Sequence, residues 1–261
     1  MNRGRVFLWT PDPRRRPGGS VTASVVPLPH LEARADGQLG LSGRFVVVRN
    51  AGALNERDPG SGAVRALRLG DAAPNADGDF LFEHGRGGGR VDKVPFAKTR
   101  RRDRYVQAAR FGEVNTYFHV DRIADYVDRL LRQLGRRPLP RVIAVVNAHP
   151  ATLERDGRGT RDGVRRPSGR WFPFQGGHYR VPAHKCSVAE HEPLSPDGEL
   201  HLGPGWLLLE HGALPEAAGA PYRATASHNA GIIYHEYAHH IARHTADFAA
   251  NAHSKRRKHL R

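Results

Sequence analysis

The stretch 114–134 constrains this chain more than any other. Val114, Tyr117, Phe118, Ile123, Ala124, Val127, Leu130, Leu131 and Leu134 fall at the i, i+3, i+4, i+7 spacing of a helix with one apolar face. Such a helix must bury its stripe against a second layer. Gly135, Pro138 and Pro140 stop it, and the run RVIAVVN at 141–147 then reads as a buried strand. Helix beside strand predicts an α+β fold.

The first hundred residues carry strand and turn patterns. Residues 20–29 (SVTASVVPLP) and 40–50 (GLSGRFVVVRN), separated by the turn-forming Ala35-Asp36-Gly37, predict strands of a hairpin or meander. The short apolar piece 79–82 lies between breaker clusters at 75–78 and 85–89; the second, GRGGG, lacks the Gly-Lys-Ser/Thr ending of a phosphate cradle and reads as a loop. The charge block TRRRDR at 99–104 marks a boundary between a β-rich region, 1–100, and a second region, 101–261. Residues 151–200 are dense in Gly, Pro, Arg and Asp and predict long loops with short strands. Two further short strands are expected within 199–209, around Gly203-Pro204-Gly205.

Composition excludes several classes. No run approaches the ~18–20 apolar residues that span a bilayer. Cys186 is the single cysteine, so no disulfide forms within the chain. The opening residues offer only Val6-Phe7-Leu8-Trp9 before Pro11, too short for the apolar core of a secretory signal. The net charge of +15 invites a nucleic-acid or polyanion reading, but 36 of the 41 basic residues are arginine, and with abundant Ala, Gly and Pro this is the signature of GC-rich coding. The basic run 255–261 reads as a solvated end.

The chemistry lies in a last helix, running from about Asn229 past Ile241. It contains His235-Glu236-Tyr237-Ala238-His239, an H-E-x-x-H match. Histidines four apart share one helix face, so both imidazoles can meet one metal with Glu236 beside them. Zinc suits neutral imidazole, keeps a position open for water and lowers that water's pKa towards ~7, which makes Glu236 the candidate general base. With 16 histidines in the chain, chance supplies the pattern roughly 0.04 times. Ile233, Tyr237 and Ile241 form an apolar stripe that anchors the helix and leaves the histidine side to face a cleft.

The segment 229–241 (NAGIIYHEYAHHI) resembles the active-site helix of gluzincin metallopeptidases of the thermolysin and fungalysin type. A second block, 111–122 (FGEVNTYFHVDR), resembles the upstream helix of fungalysin-like proteins. The resemblance implies a zincin-like fold, a mixed sheet above the active-site helix, in the N-terminal half of such a catalytic domain. It implies Zn2+ on His235 and His239, Glu236 as base, and a peptide or protein substrate lying along an exposed sheet edge. Of the candidate edges, 199–202 (Leu200, His201 and Leu202 among them) is preferred over 141–147 for its nearness to the motif helix. It also implies secretion, if further sequence precedes residue 1.

One part of the pattern is missing. In the family the third ligand is a glutamate on a following helix, and no Glu or Gln occurs after Glu236, as expected of a chain that lacks the C-terminal helical half. His244 lies nine residues after His235, about 180° round a continuous helix, and therefore faces away unless the helix ends first. Asp247 and His253 are left as alternatives, with His240 adjacent to the site. The glycine and third histidine of the metzincin pattern are absent. His119 reads as a buried structural histidine, and His184, Cys186 and His191 match no zinc spacing. Two other functions compete with peptide hydrolysis: an inactive interaction protein on the same fold, and a basic polyanion-binding module.

Overall fold

A 32-residue helix, α1 (Arg102–Gln133), runs against the central sheet and contributes to the core both an apolar stripe and a row of buried polar groups. The computed structural model describes residues 1–11, 19–33, 37–57, 60, 64–84, 102–148, 176–182, 194–204 and 225–246. The helix begins earlier than the periodicity suggested, and it ends as the sequence requires. Gly135 takes φ 63°, its N–H donates to Arg132 O at 3.0 Å, and Arg136 N–H donates to Leu131 O at 2.8 Å. These are the paired bonds of a Schellman stop, which a residue with a Cβ forms only under strain.

Among the described residues, ten strands accompany it. β1 (Arg3–Pro11) and β2 (Gly19–Pro27) form an antiparallel hairpin, and β6 (Ala53–Arg57) and β7 (Val64–Arg68) form another. The six-stranded sheet comprises β3 (Leu31–Ala33), β4 (Leu39–Gly43), β5 (Val46–Asn50), β8 (Val142–Val146), β10 (Glu199–Leu202) and β9 (Gly177–Arg180), in that spatial order. Its centre, β5-β8-β10, is parallel, while β9 joins β10 antiparallel. After a 3-10 turn at Ala226–His228 comes α2 (Ala230–Thr245). The fold is thus α+β with a mixed sheet.

The segment 20–29 pairs with β1 rather than with 40–50, whose strands β4 and β5 form an antiparallel meander with β3. The Val6-Phe7-Leu8-Trp9 run is a hairpin strand, with Val6 fully buried under α1. The boundary near residue 100 is one of composition rather than of cores. β3 to β5 precede it and β8 to β10 follow it in one sheet, and one apolar cluster runs from Val6 to Tyr237. The loop expected at 85–89, residues 151–175 and 183–193 of the loop-rich stretch expected at 151–200, and the strand expected after Gly205 lie outside the described residues.

The block 111–122 acts as a set of pins. Four polar side chains of α1, all buried, each fasten a different segment. Glu113 accepts from Asn50 Nδ2 at 2.7 Å and from Ala72 N–H at 2.8 Å. Asn115 accepts from Phe7 N–H and donates to Ser227 O, both at 2.8 Å. His119 reaches Phe7 O at 2.9 Å and the Tyr234 hydroxyl at 2.8 Å, and Asp121 pairs with His30 at 2.9 Å. Buried polar groups left unpartnered cost stability, so these pairs specify where each segment docks.

Candidate functional site

α2 starts close to the expected position and is capped by Asn229, whose side chain accepts from Gly231 N–H at 2.9 Å and Ile232 N–H at 3.4 Å. Ile233 and Tyr237 are buried and Ile241 packs against the core, so the helix is anchored along the expected stripe. The opposite face presents His235 and His239, both exposed. Their Nε2 atoms lie 3.3 Å apart and their rings are nearly perpendicular, at 82°.

Glu236 sits between this face and the core and is only 4% exposed. It lies under β9, where Tyr179 N–H donates to its carboxylate. Burial holds the carboxyl above the usual glutamate range, against the opposing pull of His235 and of the Tyr179 N–H. Gly177 permits the approach: a Cβ at that position would stand 2.6 Å from Glu236 Cγ. Strand and helix enclose a cleft of about 450 Å³, whose lining includes Gly177, His178, Tyr179, His235, Glu236 and His239.

A buried lock behind the cleft fixes β9 to α2. The Tyr179 hydroxyl lies 3.0 Å from His240 Nδ1 and also bonds Asp197 O, while His240 Nε2–H donates to Pro140 O at 3.0 Å. Burial pushes the His240 imidazole down to about 4. His119, held on both ring nitrogens behind α2, is likewise pushed by burial to about 4, in keeping with the structural role read for it.

The expected edge strand is corrected, and His244 faces away as the continuous helix requires. Leu200, His201 and Leu202 do not form a sheet edge, because β10 lies between β8 and β9 with both sides paired and all four residues buried. The alternative, β8, is interior as well. Among the described residues the edge beside α2 is β9. His244 does not join His235 and His239: its Nε2–H donates to Asp197 O at 3.0 Å and its ring packs 4.5 Å from that of His240, on the far side of the helix. Asp247, His253, His184, Cys186 and His191 lie outside the described residues. Among the described residues, no group of three or more His, Cys, Asp or Glu side chains comes together as a metal-ligand set.

The sequence reading missed Gly177, Tyr179 and His240 as builders of the site. The signal was slight, a Gly-Gly pair leading into alternating His178-Tyr179-Arg180-Val181 inside a loop-rich stretch. No family model matches the chain, and neither a curated protein nor a solved structure matches it.

Proposed function

We propose that the chain carries a zincin-type zinc site and hydrolyses peptide bonds, with His235 and His239 as metal ligands and Glu236 as general base. The separation of the two imidazole nitrogens carries the reading. Four ligands at about 2.0–2.1 Å in a tetrahedron have neighbours about 3.3–3.4 Å apart, and the two Nε2 atoms lie at 3.3 Å. Two neutral imidazoles with open positions beside them form a donor set that suits zinc better than a hard cation. When bound there, zinc supplies a Lewis acid that lowers the pKa of water and polarises a carbonyl.

The remaining steps belong to the chain. Glu236, with its proton affinity raised by burial, is placed to take the proton from the attacking water and hand it to the leaving amine. Tyr179 N–H orients that carboxylate. The edge of β9 offers main-chain groups to an extended peptide, which would enter antiparallel or parallel to the strand over the histidines. The mixed sheet with an antiparallel edge above α2 supports the zincin-like reading of the fold.

The test is zinc content by elemental analysis of the wild type and His239→Ala, together with cleavage of a quenched peptide pool by wild type and Glu236→Gln. About one zinc per wild-type chain, none in His239→Ala, and cleavage lost in Glu236→Gln are expected. Zinc without cleavage would leave a metal-holding interaction protein on this fold, and no zinc would overturn the reading.

A further inference from the structure

We infer that a second groove, separate from the cleft, binds single-stranded nucleic acid. It has a volume of about 670 Å³, lies between β1, α1 and the start of α2, and shares no lining residue with the cleft. Its walls combine Trp9, Tyr126 and Tyr234 with Arg122 and Arg129, over a floor that includes Leu8 and Ile123.

The aromatic exposure singles this groove out. Trp9 is 64% and Tyr126 58% exposed, whereas Phe7, Phe80, Phe82, Phe111, Tyr117 and Tyr237 are buried. Arg122, Tyr126 and Arg129 fall at i, i+4, i+7 on α1, so they form one stripe in which a ring stands between two guanidiniums, at rises of about 6 and 4.5 Å. Among the described residues, no carboxylate lines the groove. Arg122 makes no ion pair among the described residues, and Arg129 has only an exposed i,i+4 pair with Asp125, which is weak and readily exchanged for a phosphate. Tyr234 is held from behind by His119, which fixes the floor.

Aromatic faces between cations match the needs of an unpaired strand, whose bases stack and whose phosphates pair with arginine. An acidic peptide would use the guanidiniums and leave both rings in water. The net charge of +15 steers any polyanion toward the chain, but it does not choose this groove; Trp9 and Tyr126 do.

The experiment is fluorescence anisotropy of labelled oligo-dT and oligo-rU with the full chain, at low and moderate salt; the stronger of the two oligomers identifies the sugar preferred. Saturable, salt-sensitive binding is expected. Trp9→Ala and Tyr126→Ala should each weaken it roughly fivefold or more. Arg122→Ala should weaken it and reduce the salt slope by about 1. Arg68→Ala, at an exposed arginine outside the groove, should change it less than about twofold. Because Trp9 and Tyr126 are surface residues, their variants should keep the wild-type melting temperature. The inference is overturned if neither oligomer binds, if Trp9→Ala and Tyr126→Ala behave like Arg68→Ala, or if polyglutamate competes as well as the oligomers.

Discussion

Gly177 and Glu236 meet so closely that no side chain fits between them: a Cβ on Gly177 would lie 2.6 Å from Glu236 Cγ and 3.0 Å from its Oε1. The blocked atom is near the root of the side chain, so either β9 or the Glu236 rotamer must move. Gly177→Ala should therefore destabilise the fold by about 1–3 kcal/mol in urea unfolding. In the Glu236→Ala background the same change should cost less, because the nearest obstructing atoms are gone and only Ile232 Cγ2, at 3.0 Å, remains. A double-mutant cycle with no coupling would place Glu236 away from the strand.

The 3.3 Å between His235 and His239 leads to a metal prediction that is independent of hydrolysis. Competition for zinc against a chromophoric chelator should show binding at neutral pH that weakens as the solution is acidified, since the ligands must be neutral imidazoles. Replacing either histidine with alanine should lower the affinity at least tenfold. His244→Ala should change it little, because that ring is engaged with Asp197 O on the other side of α2. Equal losses for all three would mean that His244 reaches the metal after all.

The parts of this fold legible in the sequence are those fixed by local pattern. The α2 stripe, the Gly135 stop and the buried β8 each follow from spacing or from one special residue. The edge strand did not. β9 is four residues long, and only its pairing with β10, 19 or more residues on, makes it a strand. The choice of 199–202 as the edge failed for the same reason: sequence proximity to α2 carries no information about strand order. His240 was legible only as a neighbour of His239, since its role depends on Tyr179 and Pro140, which no helical periodicity can reveal.

Glu113 should give the fold a measurable pH dependence. Burial raises its carboxyl to about 8 in the fold against 4.5 as the ordinary value, although the Ala72 and Asn50 donors pull the other way. The stabilising contribution is complete below the unfolded value and is lost as pH rises through the folded one. Stability attributable to this group should thus fall by up to about 1.4 kcal/mol per pH unit across that window. His119 and His240 act oppositely, losing stability as pH falls from 6.5 toward about 4, so the comparison must be made against a variant. Glu113→Gln should remove the slope between pH 5 and 8 whatever its fixed cost. Identical slopes in wild type and variant would mean that the group does not titrate there.

The edge strand β9 is tied to its surroundings through the Tyr179 hydroxyl, which donates to Asp197 O in the turn before β10 and lies 3.0 Å from His240 Nδ1 on α2. Its backbone pairing with β10 covers only four residues, which is little to hold a strand end. Tyr179→Phe keeps the ring and its packing but removes the hydroxyl's hydrogen bond to Asp197 O, which then keeps only the His244 Nε2–H, and its contact with His240 Nδ1, at a cost of about 1–3 kcal/mol. If the hydroxyl is the fastening, amide exchange at 177–180 should quicken in the variant while β1 and β8 stay protected. Because Glu236 takes its orienting N–H from the same residue, the variant should also loosen the carboxylate that the proposed chemistry uses. Unchanged exchange in β9 would show that the β10 ladder alone holds the strand in place.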